Sequence, residues 1–299
     1  MSETPGGPNV ELLAAVARAA GTAKVGAYLV GGAVRDSLLG RPPVDVDAAL
    51  EGPVAGAAAT VSELSGEPGW TCRARHERFG TATLRAPEGE RVDLAATREE
   101  TYHHPGALPV VRTGVPISRD LARRDFTIHA MAFRLGETGV EGPLLDPFEG
   151  ERDLGLRRIR LLHPDSLADD PTRVFRAARY AARLGFTLDG GFVDAMKRAV
   201  ESGAFARISG DRLRRAFQEA LSEENRDVVL QVLRHLAVPG AIVDGWLVPA
   251  GDAWALGRDD GKHGAWASLL AGTPPGLRER IASRLSFSRA LRKETGCPR

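Results

Sequence analysis

The sequence predicts an α+β head over residues 1–148, an all-α stretch over 149–238, and a short helical or irregular end over 239–299. Three observations lead there. Helical and strand-like periods alternate through the first half, only the helical period persists past Pro147, and from Pro239 onward the chain is rich in Gly and Pro and weakly periodic. With 299 residues, 43% of them apolar and 26% charged, the composition is ordinary for a globular chain that can bury a sizeable core.

Apolar residues recur at helical spacing from Glu11 to Ala20, and Ala27-Tyr-Leu-Val30 is a short apolar run stopped by Gly31-Gly32, which predicts helix, strand and glycine turn. Ala33 to Leu39 suits a short helix ended by Gly40, and Val44-Asp-Val-Asp-Ala-Ala-Leu50 alternates like a strand. Val54 to Ser65 suits another helix, and Thr81 to Arg85 and Arg91 to Ala95 read as strands joined by the turn-forming Pro87-Glu-Gly89. In the second half, helical patterns run over Pro171 to Leu184, Phe192 to Glu201, Asp211 to Leu221 and Asn225 to Leu236. Pro171 suits a first helical turn, Asp169 and Asp170 favour the positive end of the macrodipole, and Gly185 stands where a C-cap belongs.

No apolar run approaches the roughly 20 residues that span a bilayer, so no membrane segment is expected. The start, Met-Ser-Glu-Thr-Pro-Gly-Gly, lacks a basic segment followed by an apolar one, and Cys72 and Cys297 make no disulfide framework, which predicts a reduced, cytoplasmic protein. Forty basic residues against thirty-nine acidic give a net charge of +1, which alone predicts no nucleic-acid partner. All the basic residues except Lys24, Lys197, Lys262 and Lys293 are arginine, whose planar fork suits phosphates and base edges, although arginine-favouring codon usage gives the same skew.

Asp45 and Asp47 are two apart on a predicted strand and therefore share a face, where two carboxylates repel unless a cation lies between them. Oxygen ligands of this kind suit Mg²⁺, which also bridges nucleotide phosphates. Gly31 and Gly32 let backbone amides approach a phosphate at a helix start, and Arg35 adds charge there. Alone, an Asp-x-Asp is usually a polar strand face and a Gly-Gly a turn. The succession strand, Gly-Gly, helix, Asp-x-Asp is far rarer by chance. Asp93, within Val92-Asp-Leu94 on another predicted strand, is a candidate third carboxylate. His103, His104 and Cys72 have no metal-ligand partner at suitable spacing and read as loop and packing residues.

That succession resembles the polymerase-β-like nucleotidyltransferases, and further segments resemble the class II tRNA nucleotidyltransferases and related bacterial poly(A) polymerases. Arg123-Arg-Asp-Phe-Thr-Ile-His-Ala130 is similar to their Arg-Arg-Asp-Phe-Thr-x-Asn-Ala motif, with His129 in place of the usual asparagine. Leu145-Asp-Pro-Phe-Glu-Gly150 is similar to the link from head to neck, and Asp169-Asp-Pro-Thr-Arg173 to the Glu-Asp-x-x-Arg motif. The resemblance covers about Tyr28 to Leu236 and implies an enzyme that adds nucleotides from CTP, and in some members ATP, to the 3′ end of tRNA with Mg²⁺. It implies that Asp45 and Asp47 hold the metal, that Arg124 contacts the nucleotide, and that Asp170, Arg173, Arg176 and Arg179 belong to the nucleotide site.

The last motif has a physical basis of its own. Three apart on a helix, Asp170 and Arg173 set a carboxylate acceptor beside a guanidinium donor, which complements the amine and ring nitrogen of cytosine and adenine. Uracil and guanine present a carbonyl beside an N–H and meet two mismatches, each costing about 1–3 kcal/mol in a closed site. An isolated Asp-x-x-Arg is more often a surface ion pair.

Between Glu99 and Val111 the chain carries Pro105-Gly-Ala-Leu-Pro109 where CCA-adding members have a basic, Asp- and Arg-bearing loop. The resemblance therefore implies a CC-adding enzyme first. A full CCA-adding enzyme is the alternative, then an A-adding enzyme or a poly(A) polymerase. A catalytically inactive RNA-binding relative predicts decayed metal carboxylates, whereas Asp45 and Asp47 are both present. The short stretch after Pro239 implies a reduced tail or an oligomeric substitute for it.

Overall fold

The computed structural model describes residues 9–76, 80–248 and 261–297, so the Met1 to Gly7 stretch and part of the 239–299 region read above lie outside the described residues. It has two compact units, Met1–Thr101 with Pro109–Leu156, and Tyr102–Leu108 with Arg157–Arg299.

In the first unit Asn9 caps α1 (Val10–Thr22) by accepting the amides of Glu11 and Leu12. There follow β1 (Gly26–Val30), α2 (Gly32–Leu38), β2 (Val46–Glu51), α3 (Val54–Gly66), β3 (Thr71–His76), β4 (Thr81–Arg85) and β5 (Arg91–Ala96). A separate hairpin, β6 (Arg98–Thr101) and β7 (Val110–Thr113), precedes α4 (Ile117–Ala122) and a 3₁₀ turn at Thr127–His129. The unit ends with β8 (Ala132–Gly136), β9 (Gly139–Leu145) and α5 (Gly150–Gly155). Seven strands form one sheet in the order β3-β4-β5-β2-β1-β8-β9. Val46, Ala48 and Leu50 of β2 and Val92, Leu94 and Ala96 of β5 are buried, and α1 and α3 pack on the sheet. The alternation turns Asp47 and Asp93 to the other face.

The second unit contains β10 (Arg158–Ile159), α6 (Ser166–Asp169), α7 (Arg173–Leu184), β11 (Thr187–Leu188), α8 (Gly191–Glu201) and α9 (Ala204–Arg207). Further on lie α10 (Gly210–Leu221), α11 (Arg226–His235), α12 (Val238–Ile242), α13 (Gly261–Leu269), α14 (Pro275–Arg284) and α15 (Arg289–Glu294). Its core is aromatic. The Phe217 ring centre lies 4.7 Å from that of Phe175, 5.1 Å from Trp246 and 5.5 Å from Trp266.

An α+β head followed by a mainly helical region is the predicted fold class, with three local corrections. Within the head, β8 and β9 extend the sheet by two strands that the sequence pattern does not single out. The helical half holds one two-residue parallel pairing, β10 with β11. Asp45 lies just before β2 and not within it. Helix α7 starts at Arg173 and not at Pro171, leaving Asp170 extended at φ −137° and ψ 99°. The cause is local: a residue preceding proline is pushed out of the helical region by the ring. Gly185 does close α7 in the left-handed conformation, at φ 67°.

Candidate active site

Strand β2 runs parallel to β5 with Asp47 directly opposite Asp93, so the two carboxylates share the open face of the sheet. Burial first, then the Asp93 and Asp45 charges, push the Asp47 carboxyl up to about 6, against the opposing pull of Arg124 and Arg91. Asp93 is fixed on both oxygens: Thr83 donates its hydroxyl to Oδ1 at 2.5 Å, and Arg91 pairs with Oδ2 at 2.9 Å. Among the described residues no three His, Cys, Asp or Glu side chains are drawn into a closed metal shell. The donor set, hard oxygens whose mutual repulsion at Asp47 the neighbouring arginines only partly offset, nevertheless fits a hard divalent cation, which commonly takes one or two carboxylates and completes its shell with phosphates and water.

Val30 leads into Gly31, whose φ of 68° at the N-cap of α2 needs glycine. A Cβ there would lie 3.0 Å from Arg124 Nη1 and 3.6 Å from Asp47 Oδ2, so the glycine keeps open a recess between guanidinium and carboxylate. Arg124 is aimed by two bonds, Nη2 to Asp120 Oδ2 at 2.9 Å and Nη1 to the His129 carbonyl at 3.2 Å. Its Nε is buried without a hydrogen-bond partner among the described residues. Arg35 does not stand on this recess as a spare charge. It is buried, binds both oxygens of Asp36 at 2.8 Å, and donates Nη1 to His129 Nε2 at 2.8 Å.

The structure brings Asp170 and Arg173 together across a turn, not along one helix face: the Arg173 amide bonds the Asp170 carbonyl at 3.1 Å. Asp170 Oδ1 takes three donors, the Thr172 amide at 2.9 Å, the Thr172 hydroxyl at 2.7 Å and Arg212 Nη2 at 3.0 Å. Arg173 is buried and held by Ser166 Oγ at 2.5 Å. Arg176 lies over the Tyr180 ring at 5.6 Å. Arg179 is committed to Glu219 and Glu223 of the same unit, at 2.5 and 2.7 Å. A cavity of about 600 Å³ opens beside α6, lined by His103, His104, Asp165, Asp169 and Arg198 among others, which gives the two histidines a surface role as loop residues. Cys72 is exposed on the edge strand β3, with its Sγ 3.6 Å from the Ala74 carbonyl oxygen, and is not part of the core.

Three residues of this machinery escape a reading of motifs. Asp120 anchors Arg123 and Arg124, and its i+3 and i+4 spacing from an acid on a helix is a visible signal. Thr83 has only strand alternation to mark it. Arg212 joins Asp170 to the tip of the β6–β7 hairpin through a 3.4 Å bond from Nη1 to the Gly106 carbonyl, and no local pattern announces that.

Residues 27–160 match the family model of the poly(A) polymerase head domain. An A-adding tRNA nucleotidyltransferase of Geobacter sulfurreducens is 40% identical over 228 residues, which is 76% of this chain and 25% of the relative. The chain thus spans about a quarter of that relative's length. A CCA-adding enzyme of Pseudomonas putida is 33% identical over 275 residues, 88% of this chain and 69% of the relative. The solved structure of a CCA-adding enzyme without ligand superposes with a TM-score of 0.80 at 29% identity, covering 96% of this chain and 70% of that one. Sequence and fold comparisons agree, and the chain belongs to the class II tRNA nucleotidyltransferase family, the CCA-adding enzymes of the polymerase-β-like nucleotidyltransferase superfamily, whose members generally use a divalent metal.

Proposed function

We propose that this chain transfers nucleotidyl groups from CTP and ATP to the 3′ end of tRNA, without a nucleic-acid template, and completes a CCA end. The observation that carries the transfer reading is the in-register Asp47 and Asp93 pair facing Arg124 across the Gly31 recess. Asp45 and Asp47 would hold Mg²⁺, with Asp93 as the third carboxylate of the group. When bound, the ion supplies charge stabilisation at the attacking and leaving oxygens. Arg124, whose Nε has no partner among the described residues, and the amides following Gly31 then take the triphosphate.

Base choice falls to Asp170 and Arg173. Three donors saturate Asp170 Oδ1, and Oδ2 is left without a partner among the described residues to accept an exocyclic amine. Arg173, steadied by Ser166, donates to the ring nitrogen. Uracil would set a carbonyl against the carboxylate and an N–H against the guanidinium. Arg176 extends this nucleotide site, and Arg179 reaches it only by leaving its two glutamates.

Full CCA addition is favoured over CC addition because the hairpin tip, although it lacks basic side chains, is joined to the selector. The Gly106 amide bonds the Ala168 carbonyl at 2.9 Å, and Arg212 links Gly106 to Asp170. The CCA-adding relative from Pseudomonas putida agrees with this. The test is to incubate a tRNA transcript ending at the discriminator base with CTP and ATP together and sequence the 3′ ends. CCA ends are expected. Ends stopping at CC would restore the CC-adding assignment, and addition of A alone to a CC-ended transcript would make the protein an A-adding enzyme like its Geobacter relative.

A further inference from the structure

We infer that His129 is a positioning residue that holds the Gly31 to Arg124 recess together only while its imidazole is neutral, so that nucleotide affinity falls on acidification. The inference rests on the proposed nucleotidyl transfer at this recess. His129 closes the 3₁₀ turn and is buried. Its Nε2 lies 2.8 Å from Arg35 Nη1, and its Nδ1 lies 2.9 Å from Asp125 Oδ1. Arginine cannot accept a hydrogen bond, so Nε2 must be the acceptor and the proton must sit on Nδ1, donated to Asp125. One ring therefore ties α2, through Arg35, to the turn whose own His129 carbonyl aims Arg124.

The usual asparagine could offer a donor and an acceptor at this position but no titration. A protonated imidazole presents N–H at both ends, which replaces the Arg35 bond by donor against donor and cation against cation. The charged groups around the ring are Arg35 and Asp36 on α2, Asp125 beside the turn, Arg124 at the turn carbonyl with Asp120 of α4 behind it, and Asp153 of α5, which bonds Thr127 at 2.7 Å. Asp125 favours the imidazolium, but its Oδ1 is already shared with the Phe126 amide at 2.9 Å. Arg35 lies in line with Nε2 and opposes it. Loss of the Arg35 bond frees α2 from the turn and slackens Arg124, which touches nucleotide in the proposed reaction.

The experiment compares wild type with His129→Asn over pH 6 to 8, measuring KM and kcat for CTP on a tRNA transcript. Thermal melts and the imidazole ¹⁵N shifts of the free protein are recorded in parallel. The nucleotide phosphates also titrate in this range, and the asparagine variant on the same substrate cancels their effect. Expected are KM values within about threefold of each other at pH 8, a wild-type KM that rises at least tenfold more than that of the variant by pH 6, similar kcat profiles, and a ¹⁵N signature of the Nδ1–H tautomer at pH 8. A KM ratio that stays constant across pH overturns the inference, as does an Nε2–H or doubly protonated ring at pH 8. Absence of nucleotide transfer by both proteins at every pH overturns the functional assignment instead, and the ¹⁵N tautomer then still decides whether the ring holds the turn as described.

Discussion

Asp47 is a residue that the fold charges at a cost. Its native carboxyl titrates near 6 against an ordinary value of 3.8, so between those values the folded protein holds its proton more tightly than the unfolded chain does. Stability therefore falls as pH rises through that window, and the whole penalty is present at neutral pH. Each tenfold change in proton affinity corresponds to about 1.4 kcal/mol, and with partial exposure to water the penalty is about 1–2 kcal/mol. Asp47→Asn should thus melt a few degrees above wild type at pH 7.5 and level with it near pH 4, while losing nucleotide transfer. Mg²⁺ added with nucleotide should narrow the gap by stabilising only the wild type. Thermal melts at the two pH values check this, and an asparagine variant less stable than wild type at pH 7.5 would show that no such cost exists.

Among the elements, the β6–β7 hairpin carries the most specific expectation. Gly106 at its tip has φ 74°, and a Cβ there would lie 2.6 Å from the Ala204 carbonyl oxygen. Gly106→Ala should unseat the tip, and Arg212→Gln should cut its link to Asp170. Both should lower ATP addition by about tenfold relative to CTP addition and admit some UTP, the effect of an acceptor no longer held in place. Ratios of kcat/KM for CTP, ATP and UTP measure it, and unchanged ratios in both variants would detach the hairpin from base choice. The hairpin was barely legible in the sequence. Strands β4 and β5 alternate in burial and β1 and β2 are mostly buried, whereas β3 is exposed at every position, β9 at most of its positions, and β6 and β7 are partly exposed ribbons without a core face. The site shows the same division. Asp45, Asp47, Asp170 and Arg173 stand in recognisable local patterns. The opposition of Asp93 to Asp47 requires β5 to pair with β2 across two intervening strands, and the Arg35 bond to His129 spans 94 residues of chain. Pro171 shifted Asp170 off the helix by a rule that was readable but competed with the helical pattern.

Over the whole molecule, the charges nearly cancel, and no helix among the described residues is long and apolar enough to cross a membrane. The proposed transfer and selection groups fall in different compact units, with Asp45, Asp47 and Asp93 in the first and Asp170, Arg173 and Arg212 in the second. Loss of transfer and loss of choice should therefore separate by mutation, since residues without shared partners act nearly independently. The most direct measurement is incorporation of α-³²P-labelled CTP, with release of pyrophosphate, on a tRNA transcript ending at the discriminator base, comparing wild type with Asp47→Ala at matched folded concentration. Incorporation by wild type is expected, with a loss of about a thousandfold or more in the variant, because the carboxylate proposed to hold the metal is gone. A wild-type protein that incorporates nothing, or an Asp47→Ala variant within tenfold of it, would contradict the assignment.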